Sequence, residues 1–320
     1  MALVTGGGGF VGQWLIRALL ADGWSVTSAG LSTPQEPALL APAERDRVTW
    51  RRVDIRSATD IEATLEHSSP DVVFHLAGVS YVPEAQRSPA ETYEVNVLGT
   101  VRLLAAIARE RREGRADPVV LVVGSGTQYG RHSPDELPLA ESAEQRPQDA
   151  YAASKAAQEI VALQTFRAEG VRVVCTRSFN HSGMGHAEHF LLPALVRRAL
   201  ALALAPRARP ELRMGNLDSV RDYLHVQDVV RAYLLLVERG TPGDVYNVAS
   251  GVGVSVRDLV SDVLLRVGRT AEITTDPTLV RSADIPALIG SPAKLQRATG
   301  WRPVRTRADI IDDLIHAATH

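Results

Sequence analysis

Residues 2–5, Ala-Leu-Val-Thr, run straight into Gly6-Gly7-Gly8-Gly9-Phe10-Val11-Gly12, after which apolar Trp14, Leu15, Ala18 and Leu19 recur at helical spacing. A buried strand, a glycine turn and a helix N-terminus in that order make a cradle for a dinucleotide. Glycine lets the backbone approach a pyrophosphate, and the helix end presents unpaired N–H groups at the positive end of its dipole. Four successive glycines also read as a plain flexible turn, but at the head of a βα unit they weigh toward the cradle. Gly6, Gly9, Phe10, Val11 and Gly12 are therefore candidate cofactor contacts.

The same alternation continues along the chain. A second strand over 25–29 should end near an adenosine ribose, where a carboxylate normally binds the 2′-hydroxyl of NAD. Gly30 stands there instead, followed by Leu31, Ser32 and Thr33, and no arginine stands beside it in sequence. The absent carboxylate leans the reading to NADP and leaves NAD open, with Ser32 as a contact. A third strand over 48–53 ends at Asp54-Ile55, where a carboxylate can accept from an adenine amino group or, as readily, cap the helix that starts near Ser57. A fourth, over 71–76, closes on Leu76, Ala77 and Gly78, small enough to let a cofactor pass, with Ser80 placed to meet substrate. Apolar spacing predicts a long helix over 92–106 with Asn96 on its polar side. The strand over 119–123 leads to Ser125, at the edge where open α/β sheets keep their ligands, although a turn serine is often only that. Near-continuous apolar strands alternating with helices argue a doubly wound parallel sheet covered on both faces.

Tyr151 and Lys155 lie four apart in Tyr-Ala-Ala-Ser-Lys, so a helix there projects both from one face. A phenol titrates near ~10, and an ammonium close by favours its ionised form, so the pair can make a proton donor or acceptor usable at neutral pH. The rest of the composition sets bounds. The 320 residues suit one large α/β unit or two interlocked ones, and a formal charge of −2 with no basic excess offers nothing to nucleic acid. A single cysteine, Cys175, rules out internal disulfides and suggests a reducing compartment. No charged-then-apolar leader opens the chain, and its longest apolar run, 199–205, is too short to span a bilayer. A cytoplasmic enzyme with no membrane partner is the expectation.

Taken together, Thr5-Gly6-x-x-Gly9-Phe10-x-Gly12, His75-Leu76-Ala77-Gly78, Asn96-Val97-x-Gly99-Thr100, Ser125 and Tyr151-x-x-x-Lys155 resemble the extended short-chain dehydrogenase/reductases, the nucleotide-sugar epimerases, dehydratases and reductases. The stretches 176–186, 215–223, 244–251 and 281–286 resemble the members that act on GDP-mannose derivatives. The resemblance implies a Rossmann-type domain over 1–177 that reclaims about 220–248, and a smaller, interleaved nucleotide-sugar domain over about 178–219 and 249–320. It implies that Ser125, Tyr151 and Lys155 are catalytic, with Asn96, Tyr151 and Lys155 also meeting the cofactor. Asn180, Arg221, Arg281 and Asp284 would hold a nucleotide sugar, with surface ion pairs as the other reading of either arginine. Relatives also commonly form homodimers through the helices that carry Asn96 and Tyr151.

The dehydratases of this group carry one or two carboxylates just after the catalytic serine or threonine. Gly126 and Thr127 occupy those places here. With no proton acceptor for elimination, the expected reaction is NAD(P)H-dependent reduction of the C4 ketone of a GDP-linked 4-keto-6-deoxyhexose. A C4 epimerase that retains NAD, and a non-catalytic dinucleotide sensor, are the alternatives. Ser178 and Met184, where relatives usually have proline, and His186, where glutamine is common, are departures in the expected sugar loop. His181 and His225 lack metal-ligand spacing and are expected to pack or to touch substrate.

Overall fold

Short strands with every residue buried, such as Ala2–Thr5 and Val72–His75, can sit only inside a sheet covered on both faces. The computed structural model of the protein describes residues 1–32, 39–202, 210–279 and 285–319. Along the chain come β1 (Ala2–Thr5), α1 (Phe10–Ala21), β2 (Val26–Gly30), α2 (Pro42–Arg45), β3 (Val48–Arg52), α3 (Ala58–Ser68) and β4 (Val72–His75). Next are α4 (Val82–Arg87), α5 (Pro89–Tyr93), a π-helical turn (Glu94–Leu98), α6 (Gly99–Arg112), β5 (Val119–Ser125), α7 (Ala150–Glu169) and β6 (Arg172–Ser178). The remainder is β7 (Asn180–Ser182), α8 (Leu191–Leu200), β8 (Glu211–Met214), β9 (Val220–His225), α9 (Val226–Arg239), β10 (Val245–Val248) and β11 (Gly253–Ser255). After these come α10 (Val256–Arg266), β12 (Glu272–Thr275), β13 (Ala287–Leu288), α11 (Ala293–Thr299) and α12 (Arg307–Thr319).

Seven strands form one parallel sheet in the order β3-β2-β1-β4-β5-β6-β10. The order reverses between β1 and β4, and in such sheets the crevice outside the carboxyl ends at that reversal is the ligand site. One core packs α1 and α9 on one face of the sheet, and a second packs α3, α6 and α7 on the other. Each wholly buried leucine, isoleucine or valine there adds ~1.5–3 kcal/mol. A third core joins α8, α10 and α12 around the smaller sheets, one in the order β11-β9-β13 with β7 also on β9, the other β8-β12.

Three sequence expectations shift. The helix over 92–106 is interrupted by the π-helical turn, and Asn96 on that turn is wholly buried rather than facing solvent. The segment expected to rejoin the large sheet splits: β9 stays in the small sheet, and the return begins at α9 and β10. Residues 39–45, which the sequence presents as an exposed connection, hold the short helix α2, with Leu40 buried in the first core.

Candidate active site

Helix α7 is phased by its cap. Asp149 accepts from Ala152 N at 2.8 Å, a bond worth ~1 kcal/mol, so Tyr151 falls in the first turn and Lys155 one turn on. Ser125 is the last residue of β5, and its hydroxyl lies near enough to the Tyr151 phenol to lower its pKa. Burial raises the phenol above its ordinary value, the Ser125 hydroxyl opposes that, and the Asp149 charge adds to it. The expected lowering by Lys155 does not occur in this structure. The Lys155 ammonium is buried, donates to Val123 O at 2.9 Å and Gln158 Oε1 at 2.8 Å, and is itself pulled down to about 8 by burial. A phenol held high stays protonated at neutral pH, which suits a donor.

Ser125 is held from behind by groups that sequence reading passed over. Its N–H donates to Gln128 Oε1 at 2.7 Å, and Gln128 Nε2 donates to Glu159 Oε2 at 3.0 Å. Glu159 forms a two-pronged ion pair with Arg177, at 2.9 and 2.7 Å, with both side chains about 95% buried. The Thr127 hydroxyl lies 2.8 Å from Ser125 Oγ and Thr127 N donates to it at 3.2 Å, so a neutral hydroxyl occupies the place where a dehydratase would carry an acid. The local signal was the short run from Ser125 to Gln128. The partners Glu159 and Arg177 are too distant in sequence to have been paired.

The crevice is as narrow as a dinucleotide site requires. Gly6 adopts φ +72, and a Cβ there would stand 2.8 Å from Ala77 N; one on Gly12 would stand 2.5 Å from Gly6 O. At Gly78 a Cβ would meet Asn96 Oδ1 at 2.8 Å and Lys155 Nζ at 3.6 Å, so Gly6, Ala77, Gly78, Asn96 and Lys155 converge across the sheet reversal. Helix α1 begins at Gly9 with no side-chain cap and no acidic residue in its first turn, leaving the N–H groups near Phe10 and Val11 for an outside anion. These features fit a nicotinamide dinucleotide.

Asn96 spends its amide on protein: Oδ1 accepts from Val79 N at 2.8 Å, and Nδ2 donates to Val79 O at 3.1 Å and Ser154 Oγ at 2.9 Å. It thereby pins the Gly78 turn to α7. Asp54 does not cap α3, since Ser57 does; Arg56 grips its carboxylate and holds it below the usual range. Ile55 is buried beside Gly99, while Ser32, just past β2, and Ser80, in the loop between β4 and α4, are exposed. The parallel register sets Arg52 opposite Gly30, so an arginine does stand beside the glycine, supplied by the neighbouring strand.

Facing this crevice, Asn180 on β7 pairs with Tyr223 of β9, and Arg221 on β9 donates to Val220 O and Ile285 O at 2.9 and 2.7 Å. Arg281 and Asp284 lie outside the described residues. A run of rings bridges the two sides: Phe10 stacks on His186 at 4.5 Å, His186 on Phe190 at 4.4 Å, and Tyr81 lies 4.3 Å from His189. Burial and the neighbouring imidazoles push His186 down to about 3. Trp14 Nε1 donates to Met184 O, and the Ser178 hydroxyl meets Tyr233 OH at 2.7 Å, so the departures in this loop are built into contacts. His181 bonds Phe179 O, and His225 caps α9 and meets Asp313.

A sheet reversal lined by glycine, with a phenol, a serine and a buried ammonium gathered at its edge, is the working arrangement of NAD(P)-dependent oxidoreductases of the extended short-chain dehydrogenase/reductase class. The chain belongs to the GDP-mannose 4,6 dehydratase family, whose profile matches residues 3–314. It is 37% identical over 94% of its length to GDP-6-deoxy-D-mannose reductase of Pseudomonas aeruginosa, covering 91% of that protein. It is 29% identical over 93% of its length to GDP-6-deoxy-D-talose 4-dehydrogenase of Aggregatibacter actinomycetemcomitans, covering 90% of it. Among solved structures, RMD from Pseudomonas aeruginosa complexed with NADPH superposes with a TM-score of 0.82 at 34% identity, over 99% of this chain and 97% of that one. Among the described residues no helix is long and apolar enough to cross a membrane.

Proposed function

We propose that the protein reduces the C4 ketone of GDP-4-keto-6-deoxy-D-mannose to give GDP-D-rhamnose, with NADPH as the preferred reductant. The observation that carries this reading is the catalytic edge: Gly126 and Thr127 follow Ser125, so the site can protonate an oxygen while no carboxylate stands at those two places to eliminate water. The similarity to GDP-6-deoxy-D-mannose reductase supports the choice of sugar.

The nicotinamide cofactor supplies the hydride when bound. Tyr151 donates its hydroxyl proton to the ketone oxygen as the carbonyl carbon gains hydrogen, and Ser125 holds that oxygen. Lys155 carries the positive charge that offsets the phenolate left behind. Gly6, Gly9 and Gly12 with the α1 N-terminus would hold the pyrophosphate, and Arg52 opposite Gly30 supports a 2′-phosphate. Asn180 and Arg221 would hold the nucleotide sugar, with Arg281 and Asp284 as further candidate contacts on the resemblance alone.

Leu98, Val101 and Ile160 are exposed, and Val101 and Val161 line a groove between α6 and α7, which supports a homodimer built on these helices. A cytoplasmic setting fits the single buried cysteine. The deciding experiment incubates purified protein with GDP-4-keto-6-deoxy-D-mannose and NADPH or NADH, follows nicotinamide absorbance and identifies the product by NMR. Stoichiometric oxidation with a rhamnosyl product is expected. Retained cofactor with no net consumption would replace the reductase with an epimerase.

A further inference from the structure

Lys155 is the start of a buried hydrogen-bond line that runs away from the crevice and whose direction can be worked out donor by donor. An ammonium only donates, so the Gln158 atom 2.8 Å from Lys155 Nζ is the amide oxygen, and the amide nitrogen faces Thr100. Gln158 Nε2 donates to Thr100 Oγ1 at 3.0 Å, and Thr100 spends its one proton on Asn96 O at 2.7 Å. His75 Nε2, 2.9 Å from the same hydroxyl, must therefore be the protonated nitrogen of a neutral ring, and His75 Nδ1 accepts from Thr5 Oγ1 at 2.8 Å. Thr5 Oγ1 in turn accepts from Ala77 N at 3.2 Å, back at the sheet reversal. Gln158, Thr100 and His75 are wholly buried, and the donor of each bond fixes the direction of the next.

We infer that Gln158 is a positioning residue for the Lys155 ammonium, and that Thr100 and His75 fix which way its amide points. Two of the three ammonium protons are committed, to Val123 O and Gln158 Oε1, which aims the third past Gly78 toward the crevice. If the Gln158 amide turned, its NH₂ would face the ammonium and the line would break in two places at once. The catalytic role of Lys155 rests on the proposed function, but its placement by Gln158 can be measured without turnover.

The chain holds only two lysines, Lys155 and Lys294, so ¹³Cε-lysine labelling yields two side-chain signals, assigned with Lys294→Arg. The ionisable groups facing Lys155 are Tyr151 on its own helix and His75 on β4; Glu159 is occupied by Arg177. Gln158→Met keeps the volume and removes the acceptor, so the Lys155 titration midpoint should fall by about one pH unit, because a lost acceptor disfavours the charged form. Gln158→Glu should raise it. Thr100→Val should lower it by less, and Thr100→Ser should restore it. The alkaline limb of kcat/KM for GDP-4-keto-6-deoxy-D-mannose should move with each midpoint, while KM stays within about twofold, a pattern that a loss of packing does not produce. Midpoints unmoved in Gln158→Met and Gln158→Glu, or moved in the same direction in both, overturn the inference. Midpoints that move in opposite directions uphold it even in a protein that turns over no ketone, a result that would sink the proposed reaction alone.

Discussion

Helix α7 buries two ionic groups one turn apart, and the protein treats them in opposite ways. Glu159 is met by a guanidinium through two charge-assisted bonds, and Gln145 and Gln128 satisfy its remaining capacity. Lys155 meets only neutral acceptors. A buried charge matched by its opposite is locked, because removing either partner strands the other in a medium that solvates it poorly. A buried charge held by dipoles alone keeps a protonation equilibrium within reach of neutral pH, and Lys155 sits at about 8. The first arrangement fixes where Ser125 stands, and the second supplies a charge that responds to its surroundings.

The largest expected effect falls on the Lys155 side. Tyr151→Phe removes the transferable proton and should lower turnover by ~10²–10⁴-fold with little change in melting temperature. On the other side, Glu159→Gln leaves the Arg177 charge unmatched and should cost ~3–5 kcal/mol of stability, read in a denaturant titration. Comparable losses of stability in the two variants would erase the distinction. A smaller effect tests the cofactor end: Arg52→Ala should weaken NADPH binding about tenfold, measured by fluorescence titration, and leave NADH nearly unchanged, as loss of one charge-assisted contact predicts.

The smallest effect sharpens the contrast most. Turnover should halve near the Lys155 midpoint of about 8 and keep falling as pH rises. Stability should move the other way. Between about 8 and the ordinary lysine value of 10.5 the unfolded chain binds more protons at this site than the native one, so the Lys155 contribution grows more favourable with rising pH. His75, held near 3 by burial against an ordinary 6.5, gives the acid counterpart: stability is lost as pH falls through that window, because the unfolded ring takes up a proton that the folded one refuses. Urea titrations across both windows measure the two slopes.

What could be read from the sequence is what lies along one element. The glycine turn, Ser125 at a strand end and the Tyr151–Lys155 spacing depend on neighbours a few residues away, and the fold places them as their periodicities require. What was missed depends on the sheet or on packing between helices. Arg52 reaches Gly30 only because β3 lies beside β2 in that register. Gln158 finds Thr100 only because α6 packs on α7, and Arg177 finds Glu159 only because α7 packs on β6. The lowering of the Tyr151 pKa expected from its lysine neighbour failed for a related reason: spacing along a helix does not say what else competes for the ammonium.

The contact between Gly6 and Ala77 has a consequence for how such a protein can change over generations. A single methyl group at position 6 would collide with the opposite strand end, so that wall tolerates no gradual drift. The opposite wall, where Asn180 and Arg221 are only partly buried, has room to vary. Under the proposed function, new sugars are to be sought by altering β7 and β9, while the dinucleotide cradle is inherited whole.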